Sequence, residues 1–273
     1  MSPAQRIGVF DSGVGGLTVL KALVRHVPDA EYLYFGDTAR LPYGSKSAET
    51  VAKFGIEAAH FLERRGIDML VIACNTATAL ALPAIRDAVK VPVEGVVGPG
   101  AARAAEATRR KKVVVIATEA TVRSHAYLNA LQARDINVCE KACPLFVPLI
   151  EEGWIEHPIT ERVAHTYLDD IFYDYATGPD VLVLGCTHYP LIKPVLRSVV
   201  PWRVEIVDSA ESTARVVAQH LGIAPHQDAE LRKPAHLPPI TYFATDSVER
   251  FCRVGALFMG QPLTNVHHVD IGG

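Results

Sequence analysis

A chain of 273 residues that is 49% hydrophobic can bury one large core or two ordinary ones, which makes it globular. Its 27 basic and 30 acidic residues are spread along the chain and leave a formal charge of −3, which excludes a nucleic-acid binder working through a basic face. No apolar run approaches the roughly 20 residues of a membrane helix, and MSPAQRIGVF lacks the charged start and apolar middle of a signal peptide, so no membrane partner and a cytoplasmic location are expected.

The predicted elements alternate from the start. RIGVF (6–10) reads as a strand before the helix GLTVLKALVRHV (16–27), and YLYFGD (32–37) as a strand before SAETVAKFGIEAAHFLERRG (47–66). DMLVIA (68–73) leads into TATALALPAIRDAV (76–89), and VEGVV (93–97) into GAARAAEATR (100–109). The rhythm continues with KKVVVIA (111–117) and the helix TVRSHAYLNALQAR (121–134), then INVCE (136–140) and ERVAHTYLDDIFYDYA (161–176). DVLVLG (180–185) precedes PLIKPVLRSVV (190–200), and VEIVD (204–208) precedes STARVVAQHL (212–221). The proline-rich PHQDAELRKPAHLPP (225–239) reads as a surface connection to a last strand, helix and strand, ITYFA, SVERFCRVGALF and NVHHVD. Short apolar runs alternating with amphipathic ones predict an α/β fold with largely parallel sheets.

Two strands end alike. VIACNTATAL (71–80) carries Cys74, Asn75 and Thr76 at its tip, and VLVLGCTHYP (181–190) carries Cys186, Thr187 and His188. The interval between the two cysteines nearly equals that from Asp11, after the first strand, to Thr118, after KKVVVIA. Such spacing predicts a duplication into two similar lobes, residues 1–97 with 208–273 and residues 98–207, related by pseudo-twofold symmetry. Ligands of such sheets bind beyond the carboxyl ends of the strands, so both thiols are expected at one cleft between the lobes.

A thiol entering a helix N-terminus is placed to ionise, because the helix dipole and free N–H groups favour the thiolate. The bland alternative is a small buried hydrophobe, but repetition beside polar residues favours chemistry. A cysteine phosphatase needs an Arg six residues on, where Leu80 and Ile192 stand. Cys-x-x-Cys is absent, and a cysteine hydrolase gains nothing from a symmetric second thiol. Cys139, Cys143, Cys186 and His188 lack the spacing of a closed zinc site, so no metal is expected. Two acid/base groups on opposite sides of one carbon are what stereochemical inversion requires, with backbone N–H groups stabilising the anion formed between the two proton transfers. DSGVGGLTVL (11–20), with Gly13, Gly15 and Gly16 before a helix, is a candidate carboxylate cradle, and GDTARLPYGSKS (36–47) is a second candidate loop.

DSGVGGLTV, YFGDTARLPYGSKS, ACNTATA, TEATVRS, ACPLFVPLIEEG and LGCTHYPLI together resemble the cofactor-independent glutamate racemases, in order and spacing from about residue 6 to residue 222. The resemblance implies interconversion of L-glutamate and D-glutamate without a cofactor, for bacterial peptidoglycan. It implies Cys74 and Cys186 as the paired acid/bases, Asp11 and His188 as tuning groups beside them, and Glu151, or else Glu152, near Cys186. It further implies substrate contacts from Ser12, Pro42, Tyr43, Gly44, Asn75, Thr76, Thr118, Thr121 and Thr187, and a homodimer. Two departures stand out: Ala117 and His125 occupy positions where many members have Gly. Some members also inhibit DNA gyrase, a role that the charge does not support here. The rival readings are an aspartate racemase, which keeps both thiols and differs in its loops, and a non-catalytic amino-acid-binding module, against which the intact cysteine pair speaks.

Overall fold

The central strands predicted from continuous apolar runs pair in parallel and are buried on both faces, which is why their sequences do not alternate. The computed structural model describes residues 5–174, 177–223 and 238–271. The first half contains β1 (Arg6–Asp11), α1 (Leu17–His26), β2 (Glu31–Gly36), α2 (Ala48–Glu63), β3 (Met69–Ile72), α3 (Asn75–Ala88), β4 (Val93–Gly95) and α4 (Val97–Ala107). The second contains β5 (Lys112–Ala117), α5 (Glu119–Arg123), α6 (Ala126–Gln132), β6 (Asn137–Ala142), α7 (Phe146–Glu151), α8 (Pro158–Phe172), β7 (Val181–Gly185), α9 (Lys193–Val199), β8 (Glu205–Asp208) and α10 (Ser209–His220). A tail of β9 (Ile240–Ala244), α11 (Val248–Met259) and β10 (Val266–His268) completes it.

Two parallel sheets result, ordered β10-β9-β2-β1-β3-β4 and β6-β5-β7-β8. The series β2-β1-β3-β4 repeats as β6-β5-β7-β8, so the duplication read from the strand ends reappears as a duplicated strand order. The tail adds β9 and β10 beside β2.

Helices cover both faces of each sheet. Leu17, Leu20 and Leu23 of α1 pack with Ile7 and Val9 of β1, while Val51, Ala58 and Leu62 of α2 pack with the opposite-facing Phe10, Leu33 and Phe35. In the second sheet Val113, Val115 and Val181 meet Ala101 of α4 and Leu131 of α6, and Val114 and Leu182 face Ala164 and Leu168 of α8. One cluster runs through both sheets by way of α1 and α10, so a shared core ties the halves together.

Three expectations are revised. The segment 121–134 is not one helix: His125 takes φ 55° between α5 and α6, a left-handed conformation that cannot propagate a helix and that favours the glycine of related sequences. The segment 190–200 opens as a 3-10 turn (Tyr189–Ile192) before α9. Helix α7 was not predicted, its six residues being too few to display a period. Most of the connection 225–239, and the end of the helix read over 161–176, lie outside the described residues. Among the described residues no helix is long and apolar enough to cross a membrane.

Candidate active site

Both cysteines sit beyond the carboxyl ends of central strands. Cys74 follows β3 by two residues and is the N-cap of α3, with extended φ −66° and ψ 118°. Its sulfur takes the part usually played by a Ser or Asp oxygen, accepting from the Ala77 amide at 3.4 Å, and its S–H donates to Ser12 Oγ at 3.5 Å. Asp11, the last residue of β1, lies behind it. Asp11 Oδ2 accepts from the Gly13 amide at 2.9 Å, and Oδ1 has no hydrogen-bond partner among the described residues. Burial raises the Asp11 carboxyl above its ordinary range, although His188 and the Gly13 and Gly16 amides pull the other way.

The helix N-terminus does not make Cys74 a ready thiolate. Burial, and then the Asp11 charge, push its pKa up to about 12 and outweigh the Ser12 and Ala77 hydrogen bonds. The dipole argument fails because the sulfur is nearly fully enclosed and its nearest charge is an anion.

Cys186 follows β7 directly, with Thr187 and His188 in the turn before α9. His188 Nδ1 is 3.9 Å from Cys186 Sγ and 3.5 Å from Thr187 Oγ1, and His188 Nε2 is 3.1 Å from Glu151 Oε1 at the end of α7. Burial disfavours a charged imidazole, yet Cys186 and Glu151 together raise His188 to about 10, so it is an imidazolium at neutral pH. Glu151 is also penalised by burial, but His188 and Arg250 hold it below the usual carboxylate range. Glu152 is exposed and does not line the cavity, so it is Glu151 that the structure brings beside His188.

A polar wall joins the two thiols. The hydroxyls of Thr76, Thr118 and Thr121 lie 3.0 to 3.2 Å from one another, bridging α3 to the start of α5. Asn75 Oδ1 accepts from Tyr127 at 2.7 Å, while Asn75 Nδ2 has no hydrogen-bond partner among the described residues. Tyr43 donates to buried Asp37 at 2.5 Å, and Arg40 and Thr245 each donate to the same carboxylate at 3.0 Å. Gly44 lies against Thr118, where a Cβ would be 3.3 Å from the threonine Cβ.

A cavity of about 620 Å³ lies between these walls. It is lined by Cys74 and Cys186 together, by Ser12, Pro42, Tyr43, Gly44, Asn75, Thr76, Thr118 and Thr187, and by His188 and Glu151. Asp11 and Thr121 do not line it: Asp11 stands behind Cys74, and Thr121 is hydrogen-bonded to the lining residues Thr76 and Thr118. The glycines of DSGVGG do not line it either. A Cβ on Gly15 would overlap Thr187 and His188, so that glycine lets the two halves of the site approach rather than cradling a ligand. Residues not singled out in the sequence also line it: Leu41 from the loop GDTARLPYGSKS, Pro144, Val147 and Pro148 from ACPLFVPLIEEG, and Arg250. The apolar ones carry no chemical signal, and Arg250 lies on a distant helix. Among the described residues no group of three His, Cys, Asp or Glu side chains is placed to hold a metal ion.

A duplicated parallel α/β fold with a strand-end cysteine from each half on one cavity defines a class. The chain matches the Asp/Glu/Hydantoin racemase family over residues 7–217. It is 57% identical to the glutamate racemase of Koribacter versatilis across 98% of each chain. The structure of glutamate racemase from Thermus thermophilus, in complex with beta-chloro-D-alanine, is 45% identical over 98% of each chain with a TM-score of 0.84. That of Francisella tularensis glutamate racemase with D-glutamate is 34% identical over 98% of each chain with a TM-score of 0.85. The chain belongs to the glutamate racemase family and is an amino-acid racemase.

Proposed function

We propose that this racemase inverts glutamate by two proton transfers between its cysteines and the α-carbon, without a cofactor. The observation that carries this is the presence of Cys74 and Cys186 on one cavity, each at a strand end and each with its own polar neighbours. One sulfur, as thiolate, takes the α-proton from one face. The electron pair left on carbon delocalises into the α-carboxylate, and the other S–H returns a proton to the opposite face. One C–H bond breaks and one forms, so the reaction balances with no external oxidant or reductant. For the other enantiomer the roles reverse.

The two thiols have different charged neighbours. A thiolate at Cys186 has the His188 imidazolium beside it, whereas Cys74 faces Asp11. The cation that the Cys74 side lacks is the substrate ammonium, and docking it near Asp11 offsets the repulsion that keeps the thiol protonated. The Asn75 side-chain amide, buried beside Cys74 with no hydrogen-bond partner among the described residues, is a candidate donor for a substrate carboxylate once the site is occupied. The bound D-glutamate of the Francisella tularensis relative supports this substrate class.

The same resemblance supports a cytoplasmic homodimer that supplies D-glutamate for peptidoglycan. It also supports residues 1–97 with 208–273, and 98–207, as two lobes that part to exchange substrate. The test is to incubate the chelator-treated protein with D-glutamate in D₂O, following optical rotation and α-deuterium. Loss of rotation with one α-deuterium incorporated is expected. Turnover of D-aspartate alone would overturn the substrate, and inversion without deuterium would overturn the proton-transfer chemistry.

A further inference from the structure

We propose that Arg250 is a positioning residue for the reaction, acting on the Cys186 side through Glu151 and His188. It rests on the two-thiol mechanism and adds a residue from a remote part of the chain. The geometry is a linear series of contacts. Arg250 Nη2 donates to Glu151 Oε2 at 3.1 Å, the other oxygen of that carboxylate is 3.1 Å from His188 Nε2, and His188 Nδ1 faces Cys186 Sγ at 3.9 Å. A carboxylate held at one oxygen alone can rotate about its terminal torsion, which is broad and roughly two-fold. Holding Oε2 therefore fixes the direction in which Oε1 meets the imidazole. The imidazole ring then keeps Nδ1 toward the sulfur that exchanges the proton.

Arg250 is itself fixed at its backbone. It sits in the first turn of α11, where Ser247 Oγ accepts from the Arg250 amide at 3.2 Å. The residues just before α11 are tied to the loop after β2, with Thr245 donating to Asp37 and the Asp246 amide donating to Thr38 Oγ1 at 2.9 Å. That loop carries Tyr43, so the element that aims Arg250 is held by the same buried carboxylate as the cavity wall. Helix α11 packs against the six-stranded sheet, whereas Glu151, His188 and Cys186 belong to the half built on the four-stranded one. The contact therefore crosses the cavity, and the series is complete only when both halves are in place. Arg250 and Glu151 both line the cavity, so a bound substrate lies alongside the contact.

The Arg250 side chain is 62% exposed, which limits the strength of the ion pair and sets the scale of the effect at about two- to fivefold. The experiment compares Arg250→Gln, Arg250→Lys, Glu151→Gln and the Arg250→Gln/Glu151→Gln double variant. It records kcat and KM in both directions and the rate of α-deuterium uptake from each enantiomer. The expected result is a two- to fivefold fall in kcat for Arg250→Gln with little change in KM, and partial recovery in Arg250→Lys. Deuterium uptake should be lost mainly from the enantiomer that Cys186→Ser no longer exchanges. The double variant should be no worse than Glu151→Gln, because Arg250 acts through that carboxylate. Independent, multiplicative losses in the double variant, equal loss of exchange from both enantiomers, or a change in KM alone would overturn it. Failure of the two-thiol mechanism would show separately, as full racemisation by Cys186→Ser whatever stands at position 250.

Discussion

The two strand-end cysteines occupy matching places in the duplicated fold and contrasting electrostatic surroundings. Cys74 caps a fourteen-residue helix and has the Asp11 carboxylate behind it, whereas Cys186 enters a 3-10 turn and has the His188 imidazolium beside it. Duplication supplied two thiols at two strand ends, and the residues brought against each of them, Asp11 from β1 on one side and His188 with Glu151 on the other, set different charges around the two. The Cys186 side brings its own cation in His188, and in the proposed mechanism the substrate ammonium serves the Cys74 side. Fold symmetry therefore does not make the surroundings of the two thiols alike.

Removing either sulfur tests the comparison most severely. Cys74→Ser and Cys186→Ser are each expected to lower racemisation by about 10²- to 10⁴-fold, the range for a lost general acid or base, measured as rotation against time. A variant that keeps full activity would break the pairing. Replacing the imidazole removes what sets the two sides apart: His188→Asn should lower kcat by about ten- to a hundredfold, as for a buried charge-assisted hydrogen bond. The same variant has a stability signature. Because the folded protein holds the His188 proton up to about 10, against an ordinary imidazole value of 6.5, its contribution is full below about 6.5 and gone above about 10. The stability gap between wild type and His188→Asn, from urea unfolding, should therefore close as pH rises through that window.

Gly15→Ala comes next, because its methyl group would overlap Thr187 and His188. Overpacking there should cost about 1–3 kcal/mol of stability, read in thermal unfolding, and impair the Cys186 side before the Cys74 side. Gly98→Ala is the control, since a Cβ there meets nothing within 4 Å. The mildest change is Asp11→Asn, which removes the anion behind Cys74. Alkylation of Cys74, followed by mass spectrometry against pH, should then titrate below the about 12 of the parent protein. An unchanged profile would mean that burial alone sets this thiol.

Much of this was legible in the sequence because it is local. A buried parallel strand announces itself as an apolar run, and the residues after it fall at the sheet's carboxyl edge by topology, which is how Cys74 and Cys186 could be read together. What escaped depends on contacts between distant segments. Nothing near Arg250 marks it as a cavity residue, since its role comes from α11 returning to the first sheet and facing α7. The damped ionisation of Cys74 escaped for the same reason: the helix start is local, but enclosure and the approach of Asp11 are tertiary. The break at His125 left only an indirect trace, a histidine where related sequences carry glycine, because a non-glycine residue does not by itself announce a positive φ. Pro144, Val147 and Pro148 look like ordinary packing residues until the fold turns them toward the cavity.

The most direct test of the two-sided mechanism is solvent-deuterium uptake at the α-carbon by Cys74→Ser and Cys186→Ser, each supplied separately with L-glutamate and D-glutamate. Each variant is expected to exchange the α-proton of one enantiomer, and the two variants to choose opposite enantiomers. Exchange of the same enantiomer by both variants would contradict the placement of the thiols on opposite faces of the substrate.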